Sequence, residues 1–165
     1  MPRAARVFGL GSRAMWRARA ATFLLLAALV AVGCGDDDDT ADQFRDGYNA
    51  AIQRLNDVNS NIEESGEELA TKPGPQIAKE FDRIAETAAE TRADLADLQP
   101  PEDARDEFDE LLGAIEDGVA NIRAVADAAR KENQQQFQDA TEALSESGEE
   151  ISAAENELKD AVESD

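Results

Sequence analysis

The sequence predicts an all-α protein in which the residues from 42 onward form an up-down-up-down four-helix bundle. Two observations predict this fold: apolar residues recur at spacings of three and four, the period of a helix, and proline-containing breaks interrupt the pattern. A chain of 165 residues is also long enough to bury one core. The pattern places the four helices at about 42–70, 75–98, 101–131 and 133–163.

The first two helices are separated by Thr71–Pro75 (TKPGP), where two prolines and a glycine end any helix. The apolar stripe of the first helix consists of Phe44, Tyr48, Ile52, Leu55, Val58, Ile62 and Leu69. In the second helix the spacing alternates between four and three, as the contact face of a bundle requires. That stripe consists of Ile77, Phe81, Ile84, Ala88, Thr91, Leu95 and Leu98.

The third helix follows Gln99–Asp103 (QPPED), and Pro101 suits its first turn because no intrahelical donor is needed there. Its stripe consists of Phe108, Leu112, Ile115, Val119, Ile122 and Val125. No proline or glycine marks the next boundary. We place it after Lys131 because basic residues suit a helix end and Asn133 suits the cap of a new helix. The fourth stripe consists of Phe137, Leu144, Ile151, Leu158 and Val162.

Four amphipathic helices with short connections bury their stripes most simply as antiparallel neighbours. Each helix has one phenylalanine in its first turns, so we expect Phe44 and Phe108 at one end of the bundle and Phe81 and Phe137 at the other. Glycines inside helical patterns are expected to mark close contacts between helices; they are Gly66, Gly113, Gly118 and Gly148.

The N-terminal segment has the layout of a secretory signal. Basic residues, the last of them Arg19, precede the apolar run Thr22–Val32, which ends in small residues just before Cys34. That run has eleven residues, whereas a membrane-spanning helix needs about 20. Cys34 is the only cysteine, so it forms no internal disulfide.

Ala31, Val32, Gly33 and Cys34 resemble the lipobox of bacterial lipoprotein precursors, and the CGDDDD that begins at Cys34 resembles lipoproteins of high-GC Gram-positive bacteria. The resemblance implies a diacylglyceryl group on the Cys34 sulfur and signal-peptidase cleavage between Gly33 and Cys34. Lipoboxes favour leucine at the place held here by Ala31. The alternative is a small buried cysteine at the end of an ordinary signal or core helix.

This reading divides the chain into a signal peptide at 1–33, a lipidated cysteine with an acidic tether at 34–41, and a helical domain at 42–165. The domain resembles helical-bundle lipoproteins of the bacterial envelope. We expect the run Asp36–Asp39 to act as an extended, solvated spacer because like charges repel. A calcium loop would need alternating oxygen ligands and a turn glycine, and the run lacks that order.

The charge distribution limits the possible partners. The whole chain has a net charge of −21, but five of its 16 basic residues and none of its 37 acidic residues precede Cys34. From Cys34 onward, 11 basic residues therefore face 37 acidic ones, a net charge of −26. Such a surface repels nucleic acid and attracts cations or a cationic protein or peptide.

Most catalytic chemistry is excluded by residue type, because the chain contains no histidine and no glycine-rich phosphate loop. Carboxylate pairs remain, but a glycosidase-type pair needs a desolvated acid, and the stripes place no acid in the bundle seam. We therefore expect no enzyme, no cofactor and no dedicated metal site.

The expected function is a lipid-anchored, non-catalytic extracytoplasmic module, held on the outer face of the cytoplasmic membrane, that binds or scaffolds partners in the cell envelope. One alternative is a small-ligand-binding or sensing bundle with a pocket between helices. Another is capture of divalent cations by the acidic surface. The sequence leaves the oligomeric state open.

Overall fold

The computed structural model describes residues 38–68 and 72–163, and these form four helices without a strand. Helix α1 spans Asp38–Glu68, α2 spans Gly74–Ala96, α3 spans Arg105–Arg130 and α4 spans Gln134–Glu163. A short 3-10 turn, Glu102–Ala104, leads into α3. The predicted all-α four-helix bundle is therefore confirmed.

Contacts between consecutive helices show that they run antiparallel. Gly47 of α1 lies against Leu98, which follows the end of α2. Two turns further along α1, Arg54 pairs with Asp94, which lies one turn before Leu98. The two helices therefore run in opposite directions. Between α2 and α3, Arg92 Nη2 donates to Glu116 Oε2 at 2.8 Å. The same two helices are joined near their other ends, where Arg130 Nη2 donates to Asp82 Oδ2 at 2.6 Å.

The last pair, α3 and α4, is joined by a polar contact in an otherwise apolar seam. Asn121 Nδ2 donates to Ser147 Oγ at 2.6 Å and to the Ala143 carbonyl at 3.3 Å. Ser147 Oγ in turn donates to the Ala143 carbonyl at 3.0 Å, so the buried hydroxyl is satisfied.

The phenylalanines lie where the antiparallel topology predicts. The rings of Phe44 and Phe108 meet edge to face with their centroids 5.4 Å apart. Phe81 is next to Asp82, which accepts a hydrogen bond from Arg130 at the C-terminal end of α3. Phe137 lies near the start of α4, which follows the end of α3 after a short turn. The two pairs therefore occupy opposite ends.

The most deeply buried large side chains belong to α2 and α3, with one from α4. The largest side chains with less than 2 % of their surface exposed are Phe81, Leu95, Leu111, Ile115, Leu158, Val125 and Thr91, and none of them belongs to α1. On α1, four stripe residues are only partly buried: Tyr48, Ile52, Leu55 and Ile62. No Cα of α1 lies within 8 Å of a Cα of α4 among the described residues, whereas α1 and α2 approach more closely. Among the described residues, the backbone of α1 therefore comes close to α2 alone, although the Phe44 ring reaches Phe108 of α3.

Two helix starts differ from the prediction. Helix α1 begins at Asp38, so Asp38 and Asp39, which the sequence assigned to an extended tether, lie in its first turn. Helix α3 begins at Arg105 and not at Pro101, since the Ala104 amide bonds to the Pro101 carbonyl in a 3-10 turn.

The connection between α3 and α4 closes without proline or glycine. The Asn133 amide donates to the Ala128 carbonyl and the Glu132 amide to the Ala129 carbonyl, each at 3.1 Å. This is the Schellman arrangement, and it places Glu132 in the left-handed region with φ 51°. Asn133 Oδ1 then accepts from the Gln136 amide at 3.1 Å, which confirms the predicted cap of α4.

The helical glycines do not share one role. A Cβ on Gly118 would lie 3.2 Å from Ile151 Cδ1, so the expected close contact is confirmed there. A Cβ on Gly113 would meet nothing within 4 Å, so the expectation of a close contact at Gly113 was wrong. Gly113 lies on an exposed part of α3, which no neighbouring helix covers.

The positive φ of Glu132 leads to a prediction about stability. We expect Glu132→Gly to raise the free energy of unfolding by about 1 kcal/mol, because glycine adopts positive φ without a Cβ clash. Lys131→Gly is the matched control and should lower it, since Lys131 has φ −83°. Urea denaturation measures both, and Glu132→Gln controls for the lost charge. A glycine at 132 that destabilises the protein would contradict the strain at this position.

Candidate functional site

The residues predicted to carry the lipid lie outside the described residues. Ala31, Val32, Gly33 and Cys34 all precede Asp38, where the description begins. Lipidation of Cys34 and cleavage after Gly33 therefore stay predictions from the sequence. In the described helices, none combines the length and the hydropathy needed to cross a membrane.

The outer surface of the described bundle carries no fully exposed large apolar side chain. Every large apolar side chain of known exposure in residues 42–66 and 72–162 is at least partly buried. Acidic residues dominate what remains, and α4 alone carries nine of them with Lys159 as its single basic residue. Charge and hydrogen bonds are therefore the main means by which this surface can recognise a partner.

Two shallow grooves on this surface are lined by carboxylates. The groove between α2 and α3 is lined by Asp82, Glu86, Glu90, Asp127 and Arg123 with two alanines. The groove between α3 and α4 is lined by Asp106, Glu107, Glu110, Glu157, Asp160 and Ala161. In neither groove do three or more potential ligands converge as a metal ion requires, and the same holds for all described residues. Both grooves are open to solvent.

The seam between α1 and α4 contains the most perturbed titratable groups. Tyr48 stacks on Phe44 with the ring centroids 5.8 Å apart, and its phenol lies on the side of α1 that faces Glu155 of α4. Burial raises the pKa of Glu155 to about 7. Burial, and after it the negative charge of Glu155, raises the pKa of Tyr48 above its ordinary value. The seam thus brings together an aromatic pair, a phenol and a carboxyl group that titrates near neutral pH.

Glu155 corrects the expectation that no acid lies in the bundle seam. It follows Ile151 by one turn and precedes Leu158 by three residues, so it occupies the flank of the α4 stripe. The residue between Ile151 and Leu158 that is fully on the buried face is Ala154, and Glu155 lies beside it, partly covered. The sequence holds no signal that separates Glu155 from the exposed acids of α4, because its desolvation depends on which helices pack against it.

Chemically, the seam can bind and release a proton. A glycosidase-type reaction needs two carboxyl groups facing each other across a cleft. Here the group opposite the carboxyl of Glu155 is a phenol that stays protonated at neutral pH. Ionisation of Glu155 places a charge in a half-buried seam, where the carboxylate accepts no hydrogen bond from the described residues. The geometry therefore points to a proton-dependent contact between two helices.

Comparison with protein-family models, curated proteins and solved structures found no match to this chain. The candidate site therefore rests on the residues and geometry described above.

The raised pKa of Glu155 predicts how stability changes with pH. The folded pKa of about 7 exceeds the unfolded value of 4.5, so the folded state binds the proton more tightly between these values. The stabilisation is complete below pH 4.5 and is lost as pH rises through 7. In the wild type, we expect ionisation of Glu155 to lower the free energy of unfolding by about 2 kcal/mol between pH 5 and pH 8. This decrease should be absent in Glu155→Gln.

Urea denaturation at a series of pH values measures this effect. Glu150→Gln is the matched control, since it removes the same charge from an exposed position on α4 and should leave the pH profile close to wild type. Identical profiles for the two variants would contradict a perturbed carboxyl at 155.

Proposed function

We propose that this protein is a lipid-anchored, non-catalytic helical module that binds or scaffolds partners on the outer face of the cytoplasmic membrane. One observation carries the proposal: the only cysteine follows a short apolar run with basic residues before it, and four aspartates come next. A diacylglyceryl group on Cys34 supplies the two acyl chains that stable anchoring needs.

The start of α1 supports a close attachment. Asp38 begins the helix only four residues after Cys34, and four steps of extended chain span at most about 14 Å. With the lipid in the membrane, the end of the bundle that holds Phe44 and Phe108 lies nearest the surface. The 31 residues of α1 are about 46 Å long, so the α3–α4 turn lies at the far end.

The acidic surface supports a cationic partner. Exposed carboxylates outnumber basic groups on every helix, and α4 has the largest excess. The long-range attraction of such a surface raises the association rate of a basic protein or peptide and weakens with salt. The same charge repels anionic headgroups, which favours a bundle that stands away from the membrane.

A second candidate function is a sensing bundle, and the Tyr48–Glu155 seam favours it. Ligand sites between helices combine aromatic walls with a few polar groups, and this seam has both. A saturable rise in Tm with one metabolite out of a panel would favour sensing over scaffolding, and a Tm that responds to none would favour scaffolding.

The anchor gives a direct prediction. Intact mass of the wild-type protein from the membrane fraction should correspond to a chain that begins at Cys34 and carries a diacylglyceryl group. Cys34→Ser should remain an uncleaved precursor, since the lipid is attached through sulfur. Globomycin, which inhibits the lipoprotein signal peptidase, should cause the wild type to accumulate as a precursor.

Gly35→Ala is the matched control, because it lies just outside the lipobox and should be processed like the wild type. An exported wild-type chain with an unmodified thiol, or processing that globomycin does not change, would contradict the anchor.

A further inference from the structure

Helices α1 and α4 each have one flank that no other helix approaches closely among the described residues. The backbone of α1 comes close to α2 alone, and that of α4 comes close to α3 and to the 3-10 turn Glu102–Ala104. In an up-down-up-down bundle the first and fourth helices are neighbours, so their free flanks lie side by side. Together the two flanks form one face of the bundle.

The contacts of α1 with α2 identify which residues lie on its free flank. Gly47 meets Leu98 and Arg54 pairs with Asp94, so these two residues mark the side of α1 that faces α2. The helical period of 3.6 residues then determines the opposite flank. The residues on it are all uncharged and at least partly exposed, and they are Asn49, Ile52, Asn56, Asn59 and Ser60.

The same reasoning applies to α4. Ser147 bonds to Asn121 of α3, and Glu157 and Ala161 line the groove that α4 shares with α3. These residues mark the side of α4 that faces α3. The residues on the opposite flank are again uncharged and at least partly exposed, and they are Ser145, Gly148, Ser152 and Asn156. We call the nine residues of the two flanks the neutral strip.

The neutral strip differs from the rest of this acidic surface. Residues 47–62 of α1 contain one acid and one base, Asp57 and Arg54, so their net charge is zero. Beside the strip on α4, Glu155 is partly covered, and burial raises its pKa to about 7. Positive and negative charges are balanced at the borders of the strip, where the charged residues are Arg45, Glu63, Glu149 and Lys159.

We infer that the neutral strip is the surface through which two copies of this protein pair in the membrane. Each copy carries a net charge of −26 from Cys34 onward, so contact through the other faces would oppose carboxylates to carboxylates. The side-chain amides of Asn49 and Asn56 form no hydrogen bond with a described residue. An amide both donates and accepts, so such groups can bond to the polar side chains of an identical copy.

The orientation of the pair rests on the proposed lipid anchor. Two copies anchored in one membrane have to stand parallel, so the two-fold axis runs along the bundle, and α1 of one copy faces α4 of the other. The contacts that join successive helices place Asn56 and Ser152 at about the same level. Asn56 of one copy therefore comes near Ser152 of the second copy, and the two Asn56 residues lie about one helix diameter apart.

The size of the strip indicates that the pairing depends on the membrane. The strip extends over about three helical turns, which is about 16 Å, and it is two helices wide. Stable dimers usually bury about 800 Å² per partner, which is more than a strip of this size offers. Anchoring confines both copies to one plane and raises their effective concentration, which favours a weak interface.

Cysteine crosslinking in isolated membranes tests the pairing. The full chain has one cysteine, which the lipid blocks in the proposed mature form, so Asn56→Cys introduces a single free thiol. A bismaleimide that spans about one helix diameter should give at least fivefold more dimer for Asn56→Cys than for Thr87→Cys. Thr87→Cys is the matched control because it is an equally exposed position on α2, and it measures crosslinking by random collision.

The wild type separates failure of the anchor from failure of the pairing. A wild-type chain that reacts with the bismaleimide would show a free thiol at Cys34, which would refute the anchor and with it the parallel arrangement. An unreactive wild type leaves the anchor intact. Equal dimer yields for Asn56→Cys and Thr87→Cys, or no dimer from either, would then overturn the pairing alone.

An added charge tests whether neutrality is the property that matters. In the Asn56→Cys background, Ser60→Asp places a carboxylate on the strip and should reduce the crosslinked fraction at least threefold, and salt should restore part of it. Thr87→Asp in the same background is the matched control and should leave the yield unchanged. Both positions are exposed, and unchanged circular dichroism verifies that the helices are kept. An equal yield for the two variants would overturn the proposal.

Discussion

The structure depends on one constraint: each helix has a narrow apolar stripe that water disfavours, and only neighbouring helices can cover it. The constraint is met most fully at Leu95, Leu111, Ile115 and Leu158, which three different helices bring together with almost no exposed surface. Many stripe neighbours are alanines, which allow close approach but bury little area. The few large side chains that are fully buried therefore contribute most of the hydrophobic stabilisation.

The apolar stripes also determine the composition of the surface. Because the large apolar side chains lie in the stripes, the described exterior consists mainly of charged and polar residues and alanines. Arginines join neighbouring helices through Arg54–Asp94, Arg92–Glu116 and Arg130–Asp82, and exposed pairs of this kind each contribute little to stability. They reduce repulsion between α1, α2 and α3, while α4 keeps a large excess of acid. An acidic face of this kind suits a module that attracts a cationic partner.

In the proposed function, α1 is the helix that connects the anchor to the bundle, because it begins four residues after Cys34. Its own attachment to the bundle is on one side: its backbone packs on α2, Arg54 pairs there with Asp94, and the Phe44 ring meets Phe108 of α3 edge to face. The contacts that hold α1 are therefore also the contacts that hold the bundle to the proposed anchor.

The sequence by itself determined the helices, their antiparallel order, the ends at which the four phenylalanines lie, and the cap at Asn133, because periodicity and capping are local properties. The predicted lipid site at Cys34 also comes from a local pattern. Only the structure showed the left-handed Glu132, the different surroundings of Gly113 and Gly118, and the raised pKa of Glu155. The turn at Glu132 is closed by backbone bonds to Ala128 and Ala129 that no proline or glycine announces in the sequence. Close contact and desolvation arise only when helices that are distant in the chain meet.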